Sequence, residues 1–161
     1  MSEKIIRLKV NGQACEGRAE PRRSLADFLR DTLGFKGTHI GCEQGVCGAC
    51  TIHLNGVAVR SCLLYAVQAD GAEIRTVEGL AQDGKLHPLQ QAFHEEHALQ
   101  CGFCTPGFLM SLSAFLQENP DPTDEQITEA LSGNLCRCTG YVSIHKAVKS
   151  AVAALRTKAA T

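Results

Sequence analysis

Cysteines are the residues of this chain whose type and spacing can do chemistry. The chain holds nine of them, and eight fall into two sets of four. Three members of the first set have the spacing C-x4-C-x2-C, and the fourth follows a hairpin-like stretch: Cys42, Cys47, Cys50 and Cys62. The second set joins a C-x2-C pair to a later C-x-C pair: Cys101, Cys104, Cys136 and Cys138. Cys15 is distant from both sets, and we expect it to be a small core or surface residue.

The spacing of the first set is the plant-type spacing of a [2Fe–2S] cluster, which four thiolates hold. The loop around such a cluster must wrap closely about an anionic object. Gly41, Gly45 and Gly48 allow this, because glycine reaches backbone conformations that a Cβ forbids. The sequence therefore predicts a [2Fe–2S] site at the first set, with a zinc site or disulfide bonds as the alternatives.

The second set lies in two segments that resemble each other. In each, the cysteines are followed by threonine, glycine and an aromatic residue, and a predicted helix begins directly afterwards. Helix N-termini carry partial positive charge, which favours thiolates and an anionic cluster. We infer two helix pairs related by an approximate two-fold axis, whose loops meet and offer four thiolates to a second [2Fe–2S] cluster. Zinc also takes cysteines in pairs, so it remains an alternative here, as do disulfide bonds.

The composition argues against several classes of protein. The 161 residues carry a formal net charge of −1, and no basic stripe suits a nucleic-acid backbone. No apolar run approaches the roughly 18–20 residues that span a bilayer, and the N-terminus has no apolar segment of signal-peptide length. We therefore expect a cytoplasmic protein without a nucleic-acid partner or a membrane span. In that reducing compartment, cysteines bind metal more readily than they form disulfides.

Local signals in the first half predict a small β-grasp-like domain over residues 1–77. Asn-Gly pairs at 11–12 and 55–56 are strong turn signals between alternating strands. Ser24 is a candidate N-cap of a helix that reaches Leu33, with Asp27 as its capping-box partner. Its apolar stripe is Leu25, Phe28, Leu29 and Leu33. The predicted strands are residues 4–10, 13–19, 51–54, 57–61 and 73–77.

In the second half, the apolar residues recur with a period of 3.6 instead of two, which predicts helices. Residues 78–86 are polar and hold two glycines, so we interpret them as a linker. Four amphipathic helices follow. The first has an apolar stripe that includes Leu86 and ends near Leu99, and the last has Ile144 in its stripe. Thr123 with Gln126 forms a capping box that opens the third. The fold class is therefore α+β. A plant-type [2Fe–2S] ferredoxin-like β-grasp domain precedes an all-α four-helix-bundle [2Fe–2S] domain, residues 87–161.

Three stretches together resemble the iron–sulfur subunit of the molybdenum hydroxylases, the xanthine oxidase family. They are Gly41-Cys-Glu-Gln-Gly-Val-Cys-Gly-Ala-Cys50, Gln100-Cys-Gly-Phe-Cys-Thr-Pro-Gly107 and Gly133-Asn-Leu-Cys-Arg-Cys-Thr-Gly-Tyr141. The resemblance covers both predicted domains, and all eight ligand positions match the family pattern.

The resemblance implies an electron-transfer role within a multi-subunit enzyme. The second set would hold the cluster nearer a molybdenum cofactor in a large partner subunit, with Gln100 and Cys138 contacting its pterin. The first set would hold the cluster nearer FAD in a medium subunit, and the assembly would be a dimer of heterotrimers. Electrons from substrate oxidation at molybdenum would pass through both clusters to FAD, so the chain would not be catalytic alone.

Two other functions use the same cysteines. A free double-cluster ferredoxin would lack fixed partners, but a plant-type ferredoxin needs only the first domain. A zinc-stabilised interaction module would be colourless and would contain no acid-labile sulfide.

Overall fold

The computed structural model describes residues 2–159 and contains one mixed sheet followed by a group of helices. Residues 1, 160 and 161, which belong to the predicted domains, lie outside the described residues. The sheet has five strands in the order β2-β1-β5-β3-β4. The strands are β1 (Lys4–Val10), β2 (Gln13–Ala19), β3 (Thr51–Leu54), β4 (Val57–Arg60) and β5 (Glu73–Arg75). Both predicted hairpins are present, and β5 ends two residues earlier than predicted.

The sheet is built from the two hairpins, which β5 joins in the middle. β5 pairs parallel with β1 and antiparallel with β3. Alternate side chains of β1 point to the core, and Ile6, Leu8 and Val10 are all buried there. Each fully buried side chain of this size contributes roughly 1.5–3 kcal/mol.

The helix that crosses this sheet differs from the prediction in its form. Ser24 caps it as expected, since its hydroxyl accepts from the N–H of Asp27. Only α1 (Leu25–Asp27) is α-helical, and residues Phe28–Thr32 continue as a π-helix. The wider turn still buries Phe28 and Leu29 completely against the sheet, so the apolar stripe was predicted correctly and the helix type was not.

Four helices form the second half, as predicted. They are α2 (Pro88–Glu95), α3 (Thr105–Glu118), α4 (Asp124–Ser132) and α5 (Val142–Ala159). The capping box at α4 is present, with Thr123 and Gln126 satisfying each other's backbone N–H groups. The prediction for the first helix was wrong at both ends, because the helix stops at Glu95 rather than near Leu99 and Leu86 precedes it, half-exposed.

The segment between the halves is not simply a polar linker. Val77–Gly79 form a short 3-10 helix, and Leu80 is buried in the apolar core of the helices. The exact domain boundaries stay a prediction. Within residues 2–159, no helix is long and apolar enough to cross a membrane.

Candidate iron–sulfur sites

The first set of cysteines lies mostly on one loop, residues 41–50, which we call the N-terminal cysteine loop. It lies between the α1 region and β3, and it leads directly into β3. The fourth member, Cys62, sits in a 3-10 turn directly after β4. Ser61 brings it close, since its hydroxyl and N–H both donate to the carbonyl of Cys50, at 2.7 and 3.3 Å. The hairpin β3–β4 therefore brings the chain back to the N-terminal cysteine loop and places Cys62 beside it.

Hydrogen bonds from backbone N–H groups lower the pKa values of these thiols, and burial raises them. The backbone N–H groups of Cys47 and Gln44 donate to Cys42 Sγ at 3.4 Å each and lower the pKa of Cys42 to about 7. Burial raises the pKa of Cys47. Burial, reinforced by a hydrogen bond with the Cys50 thiol, raises the pKa of Cys62 to about 11. The loop thus supplies N–H donors to sulfur, as an anionic ligand set needs.

The second set lies on two loops that precede helices, as predicted. Residues 100–104, the CxxC loop, lead into α3, and residues 133–141, the CxC loop, join α4 to α5. The loops meet, because the Sγ atoms of Cys101 and Cys138 are 3.5 Å apart and both residues are exposed. Cys101 and Cys138 are therefore the outer pair, and Cys104 and Cys136 form an inner, half-buried pair. Side chains 37 residues apart are therefore brought together only by the packing of the helices.

The inner pair differs from the outer pair electrostatically. Burial raises the pKa of Cys104 to about 12, and contact with the Cys136 thiol adds to the shift. Burial also acts on Cys136, but hydrogen bonds from the hydroxyl and N–H of Thr139, at 3.1 and 3.4 Å, outweigh it and lower its pKa. In the outer pair, the N–H of Phe103 lowers the pKa of Cys101, and the hydrogen bond with Cys101 raises that of Cys138.

The donor sets fit two-iron clusters. The sulfurs of each set approach as two pairs: Cys42 with Cys47, Cys50 with Cys62, Cys101 with Cys138 and Cys104 with Cys136. A [2Fe–2S] cluster takes two ligands on each iron, so paired thiols match it.

The two halves are joined at the cysteine loops themselves. The N–H of Leu135 donates to the carbonyl of Cys47 at 2.9 Å, and Asn134 Nδ2 donates to the carbonyl of Gly48 at 3.0 Å. Gly107, in the first turn of α3, lies against the Gly48 carbonyl so closely that a Cβ at 107 would collide with it. The N-terminal cysteine loop therefore forms part of the surface on which the helices pack.

Three other side chains strengthen this junction, and sequence analysis did not single them out. Arg60 donates to the Gly133 carbonyl and to the hydroxyls of Thr51 and Ser111. His53 is buried on β3. Its Nε2 atom lies 2.8 Å from the carbonyl oxygen of Met110 in α3, so Nε2 carries a proton and donates it. His39 stacks on Phe103, with ring centroids 4.8 Å apart, and its Nδ1 donates to the Phe103 carbonyl. No local pattern marks these residues, because their partners are distant in sequence.

The remaining predicted residues are placed as follows. Gln100 is exposed beside the exposed Cys101. Cys15 is half-buried on β2, where its thiol lies 3.6 Å from the Gln13 carbonyl, distant in sequence from both sets. Tyr141 is held with positive φ, and its hydroxyl accepts from the N–H of Cys136 and donates to the Asn134 carbonyl. The aromatic residue of the CxC motif thus fastens its own loop.

Comparison with known proteins agrees with this arrangement. Residues 8–81 match the family described as a 2Fe-2S iron-sulfur cluster binding domain, and residues 76–149 match a [2Fe-2S] binding domain. The chain is 60% identical to caffeine dehydrogenase subunit gamma of Pseudomonas sp. (strain CBB1), over 93% of this chain and 92% of that one. It is 51% identical to the nicotinate dehydrogenase small FeS subunit of Eubacterium barkeri, over 94% and 97%.

Solved structures show the same likeness. Quinoline 2-oxidoreductase from Pseudomonas putida 86 contains a chain that is 50% identical and superposes with a TM-score of 0.92, over 98% of both chains. The paired cysteines and the two matching domains define a protein with two [2Fe–2S] binding domains. The chain belongs to the small iron–sulfur subunits of the molybdenum hydroxylases, and it is an electron-transfer subunit of a multi-subunit oxidoreductase.

Proposed function

We propose that the eight paired cysteines hold two [2Fe–2S] clusters that relay electrons between two partner subunits. One cluster would be held by Cys42, Cys47, Cys50 and Cys62, and the other by Cys101, Cys104, Cys136 and Cys138. The observation that carries this proposal is the pairing of the eight sulfurs into two sets, with N–H and hydroxyl donors on Cys42 and Cys136. Each cluster, when bound, accepts and releases one electron at a time.

The second set would face the molybdenum cofactor of a large partner subunit. Support comes from the exposure of Cys101 and Cys138 beside four exposed apolar side chains: Leu99, Phe103, Leu135 and Val142. Such a patch is typical of a protein–protein contact. Gln100 is exposed directly before the exposed Cys101, so we propose that Gln100 and Cys138 contact the pterin.

The first set would face FAD in a medium subunit. Support comes from a separate apolar surface beside its cysteines, formed by Val46, Leu63 and Tyr65, which are each more than half exposed. Two apolar surfaces, each next to one set of cysteines, suit two different partners. We propose a dimer of heterotrimers in the cytoplasm.

The test is spectroscopic analysis of the chain purified with its partners. We expect visible absorption, about four iron and four sulfide per chain, and two distinct paramagnetic signals after reduction. Zinc without sulfide would contradict the cluster assignment. A functional holo-monomer without bound partners would contradict the subunit role and would favour a free ferredoxin.

A further inference from the structure

We propose that the hydroxyl of Thr139 raises the reduction potential of the second cluster by donating a hydrogen bond to the sulfur of Cys136. Cys136 is one of the four proposed ligands of that cluster, so this inference rests on the proposed function. Thr139 Oγ1 lies 3.1 Å from Cys136 Sγ, and the backbone N–H of Thr139 donates to the same sulfur at 3.4 Å. One residue thus supplies two donors to one ligand.

The Thr139 hydroxyl is oriented by its neighbours in the CxC loop. Its oxygen accepts a hydrogen bond from the N–H of Tyr141 at 3.2 Å, so its single proton is left for the sulfur. Tyr141 is fixed in turn, because its hydroxyl bonds the N–H of Cys136 and the carbonyl of Asn134. Thr139 and Cys136 are both half-buried, which limits competition from water. The bond to sulfur is therefore built into the fold of the loop.

A hydrogen bond to a ligand sulfur favours the reduced form of a cluster. Reduction adds one electron and needs no proton, and the ligand sulfurs share the added negative charge. A hydroxyl that donates to such a sulfur stabilises this charge and raises the reduction potential. The free thiol responds in the same sense: burial alone would raise the pKa of Cys136, yet the hydrogen bonds from Thr139 leave that pKa lowered. Loss of the hydroxyl should make the second cluster harder to reduce.

The first set of cysteines obtains its hydrogen bonds in a different way. The sulfur of Cys42 accepts from the backbone N–H groups of Gln44 and Cys47. A side-chain substitution cannot remove a backbone N–H, whereas it can remove the hydroxyl of Thr139. The potential of the second cluster can therefore be changed alone, and the first cluster serves as a reference within the same molecule.

The experiment uses the full chain with both clusters, purified with its partners, and compares wild type with Thr139→Val. Valine keeps the shape of threonine and lacks the hydroxyl. Each cluster is titrated with dithionite and redox mediators and is followed by its own EPR signal. At a fixed potential, we expect the ratio of reduced to oxidised second cluster to fall about tenfold, as for loss of one hydrogen bond to a charged group. For one electron this corresponds to about 59 mV.

The first cluster should keep its potential in Thr139→Val, and Thr139→Ser should restore the wild-type potential of the second. Tyr141→Phe is the matched control for the shape of the loop. It removes the hydroxyl that fastens the loop to Cys136 and Asn134, but it leaves the Thr139 hydroxyl in place. We expect Tyr141→Phe to lower the melting temperature and to keep the potential. An equal fall in potential in Tyr141→Phe and Thr139→Val would assign the effect to loop shape and overturn the inference.

Cluster loading and reduction potential are separate readouts. A wild-type potential for the second cluster in Thr139→Val would overturn the inference and leave the proposed function standing. If Thr139→Val does not retain the second cluster, Thr139→Ala replaces it in the titration. Failure of both variants to load that cluster would show that the hydroxyl serves assembly instead of potential, which would also overturn the inference. A wild-type complex without two clusters would overturn the proposed function itself.

Discussion

The two sets of cysteines are positioned by different means. Three members of the first set lie within residues 42–50, and a hairpin returns Cys62 to them, so the site belongs to a short, nearly continuous stretch. The second set is divided between the starts of α3 and α5, and α3 and α4 lie between its two halves. The first site is therefore held by local chain geometry, and the second by helix packing.

The two sets of cysteines also differ in their exposure to solvent. The first set includes the buried Cys50, while the second has an exposed outer pair, Cys101 and Cys138. A site between two helix starts can present its outer sulfurs to a partner while its inner sulfurs face the core. A site wrapped by one loop covers more of its own cluster. We therefore expect the second site to be the more sensitive to changes in the helices.

Loss of one ligand should produce the largest effect and should separate the two sites. We expect Cys47→Ser to remove the first cluster and Cys104→Ser to remove the second, so that iron falls from about four to about two per chain in each variant. Because metal binding is coupled to folding, Cys104→Ser should also lower the melting temperature of the helices more than Cys47→Ser does. Iron analysis, EPR and thermal circular dichroism measure these effects.

Cys15→Ser is the matched control, since Cys15 lies outside both sets. It should keep about four iron and both signals. Loss of both clusters from any single ligand variant would show that the two sites do not form independently.

Gly107→Ala should have an intermediate effect, because it acts where the two sites meet. Alanine is better than glycine in a helix by about 1 kcal/mol, but its Cβ would collide with the Gly48 carbonyl and lie 2.9 Å from Ala49 Cα. We expect net destabilisation of about 1–3 kcal/mol in chemical unfolding, as for other overpacked positions. Both EPR signals should change, since the loop of the first site and the helix of the second move together.

Ala153→Gly is the control for the backbone effect alone, because Ala153 is exposed on α5. It should cost about 1 kcal/mol and leave both EPR signals unchanged. A stabilised Gly107→Ala variant would mean that the close contact between Gly107 and Gly48 does not exist in solution.

Thr123→Ala should have the smallest effect and should act on the second site alone. It removes the capping box of α4, the helix that leads into the CxC loop, and should cost about 1 kcal/mol. We expect slower loading of the second cluster during reconstitution and unchanged loading of the first. Thr128→Ala, which removes a side-chain bond to the Asp124 carbonyl within the same helix, is the control. Equal slowing of both clusters would contradict the idea that α4 serves one site.

Much of the fold could be predicted because its signals are local. The Asn-Gly turns, the Ser24 and Thr123 caps and the changes in period each depend on a few neighbouring residues, and all are present in the structure. The π-helical continuation after Asp27 was missed, because an apolar stripe specifies which face is buried but not how tightly the backbone winds. The burial of Leu80 was missed because its apolar partners belong to distant helices.

The sequence by itself predicted the cysteine chemistry, since four thiols at a distinctive spacing among glycines suit few ligands. It also indicated that the second set would need two loops to meet. Only the tertiary structure decided how the two sites are joined. Four contacts each join residues more than 50 positions apart. They are the hydrogen bonds from Leu135 to Cys47, from Arg60 to Gly133 and from Asn134 to Gly48, and the close approach of Gly107 to Gly48. Such contacts depend on how the sheet and helices pack, and no local spacing encodes them.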